Sequence, residues 1–131
     1  MRKILFVILG VVLILSVCGS GCGRGTGVVL AAIKDVYIWA DNSSQERYFV
    51  DVVCELPDTC HKFHSYEVAR AGNTTIRIEI CNMYTTGGYC AQVFTDYDLR
   101  IHIGVASDFV AGETYTVEVN EVTETFAAPI S

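Results

Sequence analysis

The chain has 131 residues, with 9 Lys and Arg against 15 Asp and Glu, and its formal net charge is −6 at pH 7. Binding to phosphate backbones needs clustered cations, and none cluster here, so nucleic acid is excluded as a partner. The same acidic balance argues against electrostatic adhesion to anionic lipid headgroups.

The N-terminus has the pattern of an export signal. A basic start at Arg2 and Lys3 precedes an unbroken apolar run over 4–17. This run is shorter than the roughly 20 apolar residues that span a bilayer, and its length and flanks are typical of a signal-peptide core. We therefore predict a leader over 1–21. A membrane-spanning anchor, extended by the uncharged residues 18–23, is the alternative.

Two cysteines lie where a bacterial lipoprotein signal, which this segment resembles, places its lipidated cysteine. Cys18 follows the bulky Val17, whereas Cys22 follows the small residue Gly21. Lipidation of Cys22 would also leave four thiols, an even number, in the exported domain. We expect Cys22 to carry the lipid, with Cys18 as the alternative. Ordinary secretion, with cleavage after Gly21 or Ala32, is the third possibility.

The rest of the chain has the pattern of an all-β domain. Three glycines within 23–27 indicate a flexible tether over 22–33, and the folded domain is predicted over 34–131. Apolar residues alternate with polar ones between turn signals, and no window has a comparable helical period. The predicted strands are 34–40, 48–56, 63–70, 74–81, 90–95, 99–104, 114–119 and 122–126. Their number and spacing favour a β-sandwich of about seven to eight antiparallel strands.

Four cysteines of the predicted domain, Cys54, Cys60, Cys81 and Cys90, allow three disulfide connectivities. Pairing 54 with 60 and 81 with 90 would close short local loops and would stabilise less than longer loops do. Alternation places Cys54 on an apolar face but Cys81 on a face that carries charged residues. A four-cysteine zinc site is the rival, although such sites favour cysteines two to four residues apart.

Four short segments resemble a known group of proteins. They are Leu-Pro-Asp-Thr-Cys at 56–60, Ala-Gly-Asn-Thr at 71–74, Cys-Ala-Gln-Val at 90–93 and Ala-Gly-Glu-Thr-Tyr-Thr-Val-Glu-Val-Asn at 111–120. The group consists of short exported bacterial proteins, often lipoproteins, with an immunoglobulin-like β-sandwich and no assigned activity. The resemblance covers about 34–127 and implies a Cys60–Cys90 disulfide, which leaves Cys54 to pair with Cys81. The chain departs from the group by these two added cysteines and by Asn120-Glu121, where Asn-Gly is usual.

Metal ligands are present but scattered. His61, His64 and His102 form the case for a copper or zinc site, since imidazole is a common ligand of both metals. Residues i and i+3 of a strand point to opposite faces, which separates the first two histidines. Asp96 and Asp98 share a strand face and could hold calcium, but an acidic turn exposed to solvent is the simpler interpretation.

The loop over 84–89 is the candidate binding surface. Tyr84 and Tyr89 flank Thr-Thr-Gly-Gly, and tyrosine rings beside flexible glycines are typical of binding loops. Tyr37 and Trp39 share the strand face opposite Val36, so one of them is also expected at the surface. Packing at the rim of the sandwich is the alternative for all of these aromatic residues.

The expected function is that of a non-enzymatic envelope lipoprotein that acts as a binding or scaffold module. No catalytic residue and no cofactor is predicted. The expected location is the extracytoplasmic side of a bacterial cell membrane, held by the N-terminal lipid, with another envelope protein or a glycan as partner. One alternative is a metal-handling module that uses the three histidines. Another is an exported hydrolase or hydrolase inhibitor, since this fold can host such activities by loop variation.

Overall fold

The computed structural model describes residues 27–41 and 46–130, which contain eight strands and a short 3-10 helix at Ala106–Asp108. The strands are β1 (Val28–Leu30), β2 (Ala32–Ala40), β3 (Arg47–Leu56), β4 (His61–Arg70), β5 (Thr75–Tyr84), β6 (Thr95–Val105), β7 (Thr114–Val119) and β8 (Val122–Ala127). The predicted leader over 1–21 and both N-terminal cysteines lie outside the described residues. Within the described part, no helix has the length and apolar character needed to cross a membrane.

The strands form two sheets, and the all-β sandwich predicted from the sequence is confirmed at this level. One sheet has the order β2–β3–β6 and is antiparallel throughout. In the other sheet, β4 pairs with one side of β5, while β1 and β7 share the opposite side and β8 pairs with β7. The β5–β7 pair runs parallel, so the prediction of purely antiparallel pairing is wrong for these two strands.

Alternating apolar side chains form the core between the sheets. Val50 and Val52 of β3 belong to one buried cluster with Ile76, Ile78 and Ile80 of β5, and none of the five is more than 1% exposed. Successive side chains of a strand point to opposite faces, so apolar residues at every second position produce a continuous buried stripe. Burying each such side chain stabilises the fold by about 1.5 to 3 kcal/mol.

Aromatic rings close one end of the sandwich. The ring of Phe109 stacks on Tyr48 with centroids 4.8 Å apart and meets Tyr115 edge to face at 5.0 Å. Phe126 contacts all three of these rings. The guanidinium of Arg70, at the end of β4, lies 5.0 Å from the centroid of Phe109. Aromatic pairs of this geometry stabilise beyond the area that they bury.

The side chain of Asn120 joins three parts of the second sheet. β1 and β7 cover the two ends of one side of β5, and the backbone of Ile80 lies between them. Asn120 Oδ1 accepts a hydrogen bond from Ile80 N at 2.8 Å, and Nδ2 donates to Ile80 O at 3.0 Å and to Ala31 O at 2.8 Å. Val119 pairs with Val122, so the turn between β7 and β8 has two residues, and Asn120 has a φ of 52°.

Two boundaries predicted from the sequence are wrong. Residues 28–33, predicted as tether, form β1 and the start of β2, because β1 pairs with β5 in the folded domain. Residues 90–94, predicted as part of a strand, are irregular, and β6 begins at Thr95. Their backbone binds another loop instead of a strand: Thr59 N donates to Ala91 O at 3.1 Å.

Candidate functional site

The disulfide between Cys60 and Cys90 ties the segment between β5 and β6 to the connection before β4. The two Cα atoms are 5.3 Å apart, and the pairing implied by the resemblance is confirmed. Thr59 reinforces the bridge, since its Oγ1 accepts a hydrogen bond from Ala91 N at 2.9 Å and its backbone N–H donates to Ala91 O. Residues 85–94, which we name the apolar loop, are therefore attached to the body of the domain near their C-terminal half.

The predicted Cys54–Cys81 disulfide is wrong. Cys54 is a free thiol with 0% exposure, whereas Cys81 is disulfide-bonded. Because the Cys54 thiol is free, Cys54 and Cys81 are not bonded to each other. Alternation explains why the predicted bond does not form: Cys54 faces the core on β3, while Cys81 has the parity of Arg77 on the outer face of β5.

A polar network of Tyr97 and Asn82 lies beside the free thiol of Cys54. The hydroxyl of Tyr97 donates a hydrogen bond to Asn82 Oδ1, and Asn82 is only 2% exposed. Burial raises the pKa of the Cys54 thiol, and burial together with the neighbouring Cys54 raises the pKa of Tyr97. Both groups therefore remain protonated at neutral pH. Buried cysteines of this kind are chemically inert, so this network contributes to the core rather than to a reaction.

The apolar loop exposes large side chains. Tyr89, one of the two predicted tyrosines, is 90% exposed, while Tyr84 is partly buried and its ring lies 5.4 Å from that of His61. Val93 and Phe94 in the same loop are 51% and 67% exposed. The sequence prediction missed these two residues because it assigned them to a strand. The signal that could have found them is that two adjacent apolar residues cannot both face a core from one strand.

An aspartate–histidine pair lies beside the disulfide. Asp58 Oδ1 accepts a hydrogen bond from Cys60 N at 2.9 Å and lies 2.7 Å from His61 Nδ1. The hydrogen bond to His61 holds the pKa of Asp58 below its usual range. His61 also lines a cavity of about 110 Å³ with Glu55, Asn82 and residues of β1. None of its described lining residues is a serine, threonine or cysteine, so the pair has no adjacent nucleophile there.

The three histidines predicted for the metal alternative are not brought together. His61 is held by Asp58, His64 is exposed on β4, and His102 is exposed on β6 of the other sheet. The one group of three possible ligands found in the described ranges is Asp58 with Cys60 and Cys90, whose sulfurs are already bonded to each other. These three histidines are therefore not placed to bind one metal ion together.

The outward face of the β2–β3–β6 sheet carries aromatic and charged residues in cross-strand rows. Tyr37 lies opposite Asp51, which lies opposite Arg100. Arg100 makes two hydrogen bonds to the Asp51 carboxylate, at 3.1 and 3.2 Å, and its guanidinium carbon is 4.7 Å from the Trp39 ring centroid. Trp39 also stacks on Phe49 at 4.9 Å. Tyr37 is 58% exposed, which confirms that one of the two β2 aromatic residues lies at the surface.

Comparison with known proteins gives a family match over most of the folded part. The ORF11 beta-sandwich domain matches residues 50–128, from within β3 to just after β8, and this range includes the Cys60–Cys90 disulfide and the apolar loop. No curated protein and no solved structure matches the chain. The matched range covers more than half of the 131 residues, and the chain therefore belongs to the ORF11 beta-sandwich domain family.

Proposed function

We propose that this protein is a non-enzymatic binding module of the bacterial cell envelope and that the apolar loop is its contact surface. One observation carries the proposal: Tyr89, Val93 and Phe94 are 90%, 51% and 67% exposed within one ten-residue loop. Large apolar side chains that are exposed close together in a chain are typical of interaction sites. Tyrosine and phenylalanine also provide much contact area with few rotatable bonds, so ordering them on binding costs little entropy.

The attachment of the loop supports the same function. The Cys60–Cys90 bond and the two hydrogen bonds between Thr59 and Ala91 restrain the loop before any partner arrives. A restrained loop loses less conformational entropy on binding than a free one, and affinity increases accordingly.

A protein surface suits this loop better than a glycan. Val93 and Phe94 offer no polar side-chain group that could bind sugar hydroxyls, whereas they match an apolar pocket on a protein.

The proposed location follows from the N-terminal sequence. An export leader and a lipid on Cys22 or Cys18 would hold the domain on the extracytoplasmic side of the membrane. A disulfide between Cys60 and Cys90 is compatible with that oxidising compartment. We also propose that the sandwich is immunoglobulin-like, as the sequence resemblance implies, and its two sheets are compatible with that fold.

Cross-linking on intact cells tests the contact surface. We expect the native protein to be captured with a discrete envelope protein, and the Tyr89→Ser, Phe94→Ser double variant to lose that product. Val110→Ser is the matched control, because Val110 is 64% exposed and lies outside the apolar loop. Two results would contradict the assignment of the loop. One is a cross-linked product from the double variant as strong as that from the native protein, and the other is loss of the product in Val110→Ser.

A further inference from the structure

The edge strand β4 leaves apolar side chains uncovered. β4 pairs with β5, and no described strand pairs with its other edge. Tyr66 and Val68 lie opposite Ile80 and Ile78, which are fully buried, so all four side chains point to the inner face of the sheet. Tyr66 and Val68 are nevertheless 42% and 40% exposed. β4 therefore extends past the area that the β2–β3–β6 sheet covers.

The backbone of β4 is also directed toward its free edge at these residues. Ile78 O accepts from Asn120 N, and Ile80 O accepts from Ala31 N, so both isoleucines direct their carbonyls away from β4. Two directly opposed residues of an antiparallel pair either hydrogen-bond to each other through their backbones, or both direct their N–H and C=O groups away from the partner strand. Tyr66, opposite Ile80, therefore directs its own N–H and C=O to the free edge. Phe63, opposite Asn82, has the same parity and does likewise.

A bulge gives β4 an unusual local symmetry. The register of β4 against β5 shifts between Phe63 and Ser65, so His64 is one extra residue. As a result Phe63 and Tyr66, three positions apart, both face inward, and the flanking Lys62 and Glu67 both face outward. The segment 62–67 therefore has the same order from either end. A charged residue on the outer face comes first, an aromatic residue on the inner face follows, and His64 and Ser65 lie at the centre.

We propose that two copies of this chain pair antiparallel through β4, about a two-fold axis between His64 and Ser65. Lys62 then lies opposite the second copy's Glu67 on the outer face, and Phe63 lies opposite the second copy's Tyr66 on the inner face, each twice by symmetry. Opposite charges and aromatic rings directly across strands attract. Neither Lys62 nor Glu67 has an ion pair among the described residues, so both charges are available for this contact.

The bulge selects a second copy over a regular peptide strand. A bulge makes two residues oppose one, and proteins use bulges to discourage pairing at exposed edges. When two copies of β4 pair, His64 and Ser65 of one copy lie opposite Ser65 and His64 of the other. The register therefore continues on both sides of the axis. The interface is isologous, as two-fold dimers require. It uses residues outside the apolar loop, so it does not depend on the proposed function.

Sedimentation equilibrium of the full-length chain, in a density-matched detergent, tests the dimer. We expect a reversible dimer whose dissociation constant rises on the order of tenfold or more in Lys62→Glu and in Glu67→Lys, because each change places like charges opposite each other twice. The Lys62→Glu, Glu67→Lys double variant is expected to recover the native dissociation constant. Lys34→Glu is the matched control, since it makes the same charge change on β2, and it should dimerise as the native chain does.

Several results would overturn the β4 pairing. A monomer at every soluble concentration excludes the dimer. Association that Lys62→Glu leaves unchanged places the contact elsewhere in the chain. Loss of the dimer in the single variants without recovery in the double variant excludes this register. Circular dichroism and the melting temperature of each variant show whether it is folded, so that unfolding is not mistaken for dissociation.

Discussion

Replacing Asn120 with alanine should destabilise the domain strongly, although Asn120 lies in a surface turn. The substitution removes three hydrogen bonds, to Ile80 N, Ile80 O and Ala31 O, each worth about 1 kcal/mol net. Alanine must also adopt the φ of 52°, which costs roughly 1 kcal/mol more. The expected loss in the free energy of unfolding is therefore about 4 kcal/mol, a large fraction of the roughly 5 to 15 kcal/mol of a typical domain.

Two further variants separate the parts of this effect. Glycine accepts a positive φ, so Asn120→Gly should lose about 3 kcal/mol from the hydrogen bonds alone. Asn120→Asp keeps one acceptor for Ile80 N but places a negative charge beside two carbonyl oxygens, and it should be nearly as destabilised as the alanine variant. Urea unfolding followed by circular dichroism measures the free energy of unfolding of all three Asn120 variants. A loss below about 1 kcal/mol in Asn120→Ala would refute the reasoning that these three hydrogen bonds stabilise the junction of β1, β5 and β7.

The remaining predictions concern the disulfide and two titratable groups. Cys60→Ser with Cys90→Ser should lower the free energy of unfolding by about 3 to 4 kcal/mol, since the bridge spans 30 residues; a melting temperature equal to that of the native chain would count against this. Asp58→Asn should be less stable than the native chain at neutral pH, because His61 lowers the pKa of Asp58 in the folded state. That difference should be present above the unfolded pKa of the carboxyl and disappear as the pH falls through its folded pKa, which pH-dependent unfolding curves will test. Cys54 should resist iodoacetamide in the native protein and react after denaturation, as peptide mass spectrometry would show.

The alternation of apolar and polar residues is the sequence pattern that predicts the strands most reliably. Ile76, Ile78 and Ile80 alternate with partly exposed residues, and that pattern alone identified β5 and its buried face. The predicted strands 114–119 and 122–126 leave two residues between them, and the structure has a two-residue turn there with Asn120 at positive φ. Both features depend on neighbours in the chain, which the sequence presents directly.

Features that depend on distant contacts were not predictable in the same way. β1 follows a glycine-rich stretch, and only its pairing with β5 makes it a strand. The adjacency of Val93 and Phe94 shows only that one of them must be exposed. Both are exposed because 90–94 is irregular and is attached to Thr59, which the local sequence does not indicate. The Cys54–Cys81 prediction failed for a different reason: it paired the cysteines left over by the resemblance, although alternation had already placed them on different faces.

The position of β1 bears on how far the domain could stand from a membrane. β1 begins at Val28, and its pairing with β5 fixes this strand in the folded domain. Five residues, 23–27, lie between Cys22 and β1. An extended chain spans at most about 3.6 Å per residue, so a lipid on Cys22 would hold the first strand within roughly 20 Å of the membrane surface.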